Sequence, residues 1–98
     1  MTVAVDVRHN VHPEMARGLD TQGLRHHFLI DALFVPDQVK MTYSHIDRLI
    51  VAGIMPQKAS VKLPTPKAVG QENFFDAREG GIINVGGSGK VIVAGTTY

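Results

Sequence analysis

Apolar and polar residues alternate through the middle of the chain in a way that predicts short β-strands. Residues 39–43 alternate with period two, and largely apolar runs cover residues 28–35 and 48–55, each followed directly by a proline. Residues 44–47 either connect the strand over residues 39–43 to the third strand, over residues 48–55, or form the polar entry to that third strand. Gly53 lies inside the third strand, where we expect it to relieve crowding or to mark a bulge.

The N-terminal part predicts one more strand and short helical turns. Residues 3–7 alternate and indicate a short edge strand. Residues 12–18 carry a proline near the first helical position and end in glycine, which is typical of a single helical turn. Asp20 is a suitable N-cap for a second short turn over residues 20–25, because its side chain can accept a backbone N–H.

The C-terminal part is punctuated by glycine and predicts a hairpin. Strands over residues 82–85 and 90–94 are joined by residues 86–89, whose glycines we expect to supply positive φ. A phosphate-binding loop is disfavoured, because an apolar β run rather than a helix follows the glycines. The pattern repeats at residues 95–98 and predicts the start of a strand that lacks its neighbour. Such an exposed edge predicts self-association.

The spacing of the turns indicates the fold class. Short strands with a turn about every ten residues are typical of an antiparallel sandwich or barrel. Residues 57–72, rich in proline and lysine, interrupt the strands with a loop that leaves room for one short strand over residues 60–63. We therefore predict an all-β fold, an antiparallel β-sandwich with one or two short N-terminal helical turns.

Composition and charge exclude several classes of partner. The 98 residues suffice for one domain, and a hydrophobic fraction of 44% argues against disorder. Ten Lys and Arg face nine Asp and Glu without clustering, so we expect no nucleic-acid partner. No apolar run reaches the length of a membrane span, so we expect no membrane partner. The absence of cysteine excludes disulfides and thiolate metal ligands and, with no secretory leader pattern, favours the cytoplasm.

Five histidines raise the question of a metal site. His9 and His12 are three apart, but a proline follows His12, so the two are not expected to share a helix face. The adjacent His26 and His27 would point to opposite sides of a strand, and His45 stands alone. Since no spacing typical of metal ligands occurs, we expect solvent-facing or hydrogen-bonded histidines and assign no metal ligand.

A cluster beside a strand end is the better candidate for binding. His45, Asp47 and Arg48 could converge on a pocket in which the arginine binds a carboxylate through two hydrogen bonds. The alternative is an Asp47–Arg48 pair that closes a turn, with His45 bonded to a backbone carbonyl. Arg78 offers the same choice between carboxylate binding and a surface pair with Glu79. Our candidate substrate-binding residues are His45, Asp47, Arg48 and Arg78, and we assign no catalytic residue.

Four blocks of the chain, in order and at near-matching spacing, carry a resemblance to a known family. They are LDTQGLR at residues 19–25, YSHIDR at 43–48, GIMP at 53–56 and REGGIINVGGSG at 78–89. Together they resemble the N-terminal part of the 5-keto-4-deoxyuronate isomerases, also called 4-deoxy-L-threo-5-hexosulose-uronate ketol-isomerases. The match runs from Val5 over nearly all of the chain, which is well under half the length expected of a family member.

The resemblance implies a fold and an assembly. A family member is a double cupin, and residues 1–98 would be a single partial domain, the N-terminal cupin part, without the C-terminal metal-binding cupin. The fold class expected from the resemblance is thus a cupin-like antiparallel β-sandwich. Homohexamers are implied as well. The family's zinc is held by three histidines and a glutamate of the C-terminal cupin, so no zinc ligand is carried over to this chain.

The resemblance also implies a reaction, the interconversion of 5-keto-4-deoxyuronate and 3-deoxy-D-glycero-2,5-hexodiulosonate in pectin and uronate breakdown. Such an aldose–ketose isomerisation needs stabilised negative charge on two oxygens and a base that moves a proton. This chain could offer a positive side chain for the substrate carboxylate, through Arg48 or Arg78.

Two hypotheses about the role of the chain follow. In the first it is an inactive, structural fragment of the isomerase, whose partners are the remainder of that chain, further copies of it and, in the full-length enzyme, the sugar-acid substrate. The alternative is a free-standing small β module that binds a sugar acid or a protein partner without catalysis. That module would use the corner formed by His45, Asp47 and Arg48.

Overall fold

A three-stranded mixed sheet organises the structure, a computed structural model that describes residues 3–98. Its strands are β1 (Val3–Arg8), β2 (Val39–Ser44) and β3 (Ile50–Ile54), and they lie side by side in the order β1-β2-β3. β1 pairs with β2 in parallel and β3 pairs with β2 antiparallel. β2 is therefore the central strand, and β1 lies at an edge, as the sequence predicts.

The parallel pairing of β1 corrects the expectation of a purely antiparallel fold. Both helices lie in the long connection between β1 and β2, and a connection of that length lets the chain re-enter the sheet in the same direction. Residues 3–98 form this mixed sheet and a separate two-stranded antiparallel sheet, and no barrel closes among them. The cupin-like sandwich remains a prediction.

The two short helices begin where the sequence places them. α1 (Pro13–Arg17) is capped by the side chain of His12, which accepts the N–H of Glu14 at 3.2 Å, and it ends at Gly18. α2 (Thr21–Phe28) is capped by Asp20, whose Oδ1 accepts the N–H of Gly23 at 2.8 Å. The Asp20 cap is confirmed, although α2 runs for eight residues, beyond the predicted turn. None of the helices within residues 3–98 has the length and apolarity needed to cross a membrane.

The apolar run over residues 28–35 is not a strand, which corrects the sequence prediction. Its first residue ends α2, and the rest follow an irregular path against the sheet. The carbonyl of Leu29 accepts a hydrogen bond from the Arg8 guanidinium, and that of Ala32 accepts one from Lys40 Nζ at 2.8 Å. Side chains of the sheet thus satisfy backbone groups that a strand would have satisfied through its ladder.

Gly53 is required by the close approach of this irregular segment. A Cβ built at Gly53 would overlap the carbonyl oxygen of Leu33 and lie 2.7 Å from its Cγ. The expectation that the glycine relieves crowding is confirmed. The backbone of Leu33 can pass over β3 only because position 53 has no side chain.

β2 supplies most of the buried core. Val39, Met41 and Tyr43 are buried on one face of the strand and Thr42 on the other, so both faces of β2 are covered at these positions. Val69 joins them from a short 3-10 turn, Lys67–Val69. The predicted short strand over residues 60–63 is wrong, since those residues form part of an irregular loop.

The C-terminal hairpin lies one turn later than predicted. β4 (Ile92–Val93) pairs with β5 (Thr96–Thr97) around Ala94 and Gly95, whose φ angles of 48° and 83° are typical of a two-residue type I′ turn. Two backbone hydrogen bonds between residues 91 and 98, of 3.0 and 2.7 Å, extend the pairing. The strand predicted to start at residues 95–98 is confirmed, but it is paired with β4, so the prediction that it lacks a neighbour is wrong. The strand predicted for residues 82–85 is also wrong.

The glycine-rich loop before this hairpin is held by Asn84. Its Oδ1 accepts the N–H of Gly86 at 2.9 Å, and its Nδ2 donates to the carbonyl of Gly87 at 2.9 Å. No glycine of residues 86–89 has positive φ, whereas Gly70 and Gly95 do. A turn is therefore present as predicted, but an asparagine side chain forms it rather than left-handed glycines.

Candidate functional site

The turn between β2 and β3 carries three of the four candidate residues: His45, Asp47 and Arg48. Leu49 N lies 3.5 Å from Ile46 O across the turn, and the φ angles of Asp47 and Arg48 are 55° and 54°. Left-handed φ in a residue with a Cβ costs about 1 kcal/mol or more. The backbone is therefore strained at the point where Asp47 and Arg48 are exposed to solvent.

Arg78, thirty residues further along, holds this turn in place. Its Nη1 donates to the carbonyl of Arg48 at 2.8 Å, and its Nη2 donates to the hydroxyl of Tyr43 at 2.9 Å. The guanidinium carbon also lies 5.0 Å from the centroid of the Tyr43 ring. The surface pair of Arg78 with Glu79 is absent among the ion pairs of the described residues. Arg78 instead links an irregular segment to the end of the central strand.

Flat side chains continue from Tyr43 into a row. The His45 ring lies 4.9 Å from that of Tyr43, and it stacks on His9 at 4.7 Å with only 8° between the planes. The backbone N–H of His45 donates to the carbonyl of Arg8 at 2.9 Å, which joins the turn to β1. We call His9, His45, Tyr43 and Arg78 the corner row. Its two histidines are exposed residues, and its other end is a half-buried guanidinium.

The structure brings only part of the candidate set together. Arg78 reaches His45 through Tyr43, and it reaches Arg48 through the backbone carbonyl. Within residues 3–98, no side-chain hydrogen bond or ion pair of Asp47 or Arg48 is found, so the predicted Asp47–Arg48 pair is not seen. The turn exposes the Arg48 side chain, while Arg78 binds the Arg48 backbone carbonyl.

The described residues do not fit a metal site. Among residues 3–98, no three His, Asp or Glu side chains lie close enough to hold an ion. His9 and His45 stack face to face, and His26 and His27 meet edge to face at 4.9 Å. Imidazoles arranged in this way direct their faces at each other, whereas metal binding needs ring nitrogens that converge on one point. The described residues therefore offer no ligand set through which zinc could take part in a reaction.

A second polar location lies between the sheet and residues 29–35. This cavity of about 190 Å³ is bordered by Asp6, Arg8, Asp31 and Lys40. Arg8 is paired with Asp6 at 2.9 Å, and Lys40 donates to a main-chain carbonyl. Because these charged groups already bond to other groups of the protein, we interpret the cavity as a structural junction and not as a binding site.

Asp37 forms a further polar junction that the sequence analysis did not identify. It follows Pro36 in a tight turn at φ 57°, and its Oδ1 accepts the N–H groups of Gln57 at 2.7 Å and Lys58 at 2.9 Å. These backbone donors, Gln57 first, lower the pKa of Asp37 below its ordinary value, because they stabilise the ionised form. The carboxylate thereby fixes the loop that leaves β3.

Two members of the corner row, Tyr43 and His9, were also missed. Tyr43 lies at the end of the alternating segment, and a tyrosine there has a hydroxyl to satisfy at the rim of the core, which is a usable signal. The position of His9 follows only from the parallel pairing of β1 with β2. A local pattern could not reveal it.

Comparison with known proteins confirms the resemblance. The chain is 50% identical over 96 residues to the 4-deoxy-L-threo-5-hexosulose-uronate ketol-isomerase of Salmonella newport (strain SL254), a match of 96% of this chain and 34% of that protein. The protein of the same name from Escherichia coli O8 (strain IAI1) is 48% identical over the same coverage. No protein-family model matches the chain. The chain therefore spans about a third of the length of these curated relatives.

Proposed function

We propose that this chain is the N-terminal part of a 4-deoxy-L-threo-5-hexosulose-uronate ketol-isomerase and serves as scaffold in that enzyme. The observation that carries the proposal is the 50% identity, which extends over 96% of the chain. In this proposal the whole enzyme is cytoplasmic and converts 5-keto-4-deoxyuronate to 3-deoxy-D-glycero-2,5-hexodiulosonate, an intramolecular oxidoreduction in pectin and uronate breakdown. We also propose that the whole enzyme assembles as a homohexamer.

Structural roles for the shared blocks support the scaffold role. Asp20 caps α2, and Gly53 lets the Leu33 backbone pass. Arg78 ties the β2–β3 turn to Tyr43. Each block that carries the resemblance thus has a task in folding that needs no substrate. Residues with such tasks are expected in a part of an enzyme that shapes and supports the reactive part.

The proposal assigns the metal to the portion of the enzyme outside this chain. Zinc would supply charge stabilisation for two substrate oxygens there. Within this chain, Arg48 is the proposed contact for the substrate carboxylate, since its side chain is exposed at the turn. His45, Asp47 and Arg78 would shape that corner, with Arg78 acting through the Arg48 carbonyl.

A chimera tests the proposal. The segment of the Escherichia coli O8 relative that matches this chain is replaced by residues 1–98, and ketol-isomerisation is measured with zinc present. We expect activity within about tenfold of the parent, and none from the isolated chain with zinc. In the chimera, Arg48→Ala should raise KM for the substrate and leave kcat nearly unchanged, since it removes a binding contact. Lys62→Ala, an exposed lysine outside the corner, is the matched control.

Two outcomes would contradict the proposal. One is a chimera that has the parent's circular dichroism and oligomer size but no turnover. The other is turnover by the isolated chain. Saturable uronate binding by the isolated chain, abolished by Arg48→Ala, would instead favour the free-standing binding module.

A further inference from the structure

The outer edge of β1 carries backbone groups that the described residues do not pair. Arg8 O accepts a hydrogen bond from the first residue after β2, so the backbone groups of Arg8 point towards β2. Because this direction alternates along a strand, the N–H and C=O of Val5 and Val7 point away from the sheet. Within residues 3–98 neither takes part in a backbone hydrogen bond on that side. β1 therefore offers a ladder edge to a further strand.

The charge pattern of β1 fits a second copy of itself. We propose that two copies of this chain associate through β1, antiparallel and centred on Val7, and so join their two sheets into one. In that register Val7 lies opposite Val7 of the second copy, and their outward N–H and C=O groups bond to each other. Asp6 lies opposite Arg8 of the second copy, and Arg8 opposite Asp6. Opposite charges at directly opposed positions stabilise an antiparallel pair.

Other registers lack this match. Directly opposed residues in an antiparallel pair must both point outward or both inward, so a twofold arrangement must be centred on a residue. Centring on Asp6 or on Arg8 places identical charges opposite each other, which is destabilising. Centring on Val5 places Asp6 opposite the uncharged Ala4. Only the register centred on Val7 pairs both charges.

The side chains at this edge have capacity for the contact. Arg8 binds Asp6 of its own strand through Nε at 2.9 Å and donates from Nη1 to the carbonyl of Leu29. A guanidinium has five N–H donors, so donors remain for a second carboxylate. The Asp6 side chain is 56% exposed and that of Arg8 18% exposed, which leaves the carboxylate accessible next to an arginine that is already positioned.

Cysteine substitution reads out the register directly, because the chain has no cysteine. Opposed Cα atoms in the central pair are roughly 5.5 Å apart, within disulfide reach. The two copies of Val5 would be roughly 13 Å apart, too far for a disulfide. After mild oxidation of the full chain, we expect on the order of tenfold more covalent dimer for Val7→Cys than for Val5→Cys. Glu79→Cys, at an exposed position, gives the background of random collisions.

Each outcome of the cross-linking decides the proposal. A Val7→Cys yield above both other variants supports it. A higher yield from Val5→Cys means a different register and overturns it, and so do equal yields from all three variants. None of these results depends on whether the chain belongs to an isomerase.

Charge reversal provides a second test on noncovalent association. Asp6→Arg and Arg8→Asp each place like charges opposite each other in their own dimer, while a mixture of the two variants restores both opposite pairs. Sedimentation equilibrium should show self-association weakened roughly tenfold in each variant and recovered in the mixture. Glu79→Arg makes the same charge change as Asp6→Arg at an exposed position outside β1 and should leave association unchanged. A mixture that associates no better than the separate variants would overturn the pairing.

Discussion

Removal of the Arg78 side chain should destabilise the fold more than an ordinary surface substitution. Arg78 is half-buried and donates to the Arg48 carbonyl at 2.8 Å and to the Tyr43 hydroxyl at 2.9 Å. We assign about 1 kcal/mol to each bond, less than the roughly 1.5–3 kcal/mol typical of a charged donor, because water reaches part of the site. The contact with the Tyr43 ring adds about 0.5–1 kcal/mol. Arg78→Ala should therefore lower the free energy of unfolding by about 2–3 kcal/mol.

Urea denaturation followed by circular dichroism measures this loss. With a slope of roughly 1 kcal/mol per molar urea, Arg78→Ala should lower the unfolding midpoint by about 2 M. Arg78→Lys should recover less than half of the loss, because one ammonium cannot donate to both acceptors as the planar guanidinium does. Lys62→Ala serves as the exposed control and should stay within about 0.5 kcal/mol of wild type.

A double-mutant cycle with Tyr43→Phe isolates the side-chain contact. Tyr43→Phe keeps the ring and removes the hydroxyl, so Arg78 and Tyr43 should show a coupling energy of about 1 kcal/mol. If Arg78→Ala changes stability by less than about 0.5 kcal/mol, the arginine does not hold the turn. If the two substitutions are strictly additive, the hydrogen bond of 2.9 Å contributes nothing to stability.

Three further predictions follow from single positions. Arg48→Gly should raise the thermal midpoint, with a gain of about 1 kcal/mol, because glycine relieves the left-handed φ of 54° while the carbonyl that Arg78 binds remains. Gly53→Ala should lower stability in urea by about 1–3 kcal/mol, since the new Cβ overlaps the Leu33 carbonyl. The lowered pKa of Asp37 means that its ionised form contributes stability above about pH 4, and this is lost as the pH falls through the folded-state pKa. Asp37→Asn should therefore unfold more easily than wild type at neutral pH, and the difference should shrink in unfolding scans as the pH falls below about 4.

Elements that depend on neighbouring residues could be predicted from the sequence. Asp20 caps α2 because an aspartate at that position meets an N–H three residues later, wherever the helix lies in the fold. The alternation over residues 39–43 marked the central strand, since period two places Val39, Met41 and Tyr43 on one buried face. The crowding at Gly53 was also foreseen, although its cause was not.

Contacts between distant residues explain the errors. Residues 28–35 have the composition of a strand, but Arg8 and Lys40 bind carbonyl groups of this segment. The left-handed φ of 48° at Ala32 also interrupts any ladder. For the candidate site, the contact of Arg78 with Tyr43 joins residues that are 35 positions apart in the chain, and no local pattern encodes that approach. Only the turn residues of the site could be found from their own neighbourhood.

The apolar residues of the C-terminal part and the β1 edge need different interactions with a partner. Six large apolar side chains there are 57–86% exposed, namely Ile82, Ile83, Val85, Ile92, Val93 and Tyr98. Turns set their conformation, but residues 3–98 do not bury them, and an isolated two-stranded hairpin is only marginally stable in water. Apolar surface of this kind requires extensive packing, which under our proposal comes from the rest of the isomerase chain.

The β1 edge instead offers directional hydrogen bonds and paired charges, which specify a register without a large apolar area. The two surfaces rely on different interactions. Burial of the C-terminal apolar residues in the chimera should therefore leave pairing through β1 possible. Charge reversal on β1 should likewise leave the packing of the C-terminal part intact.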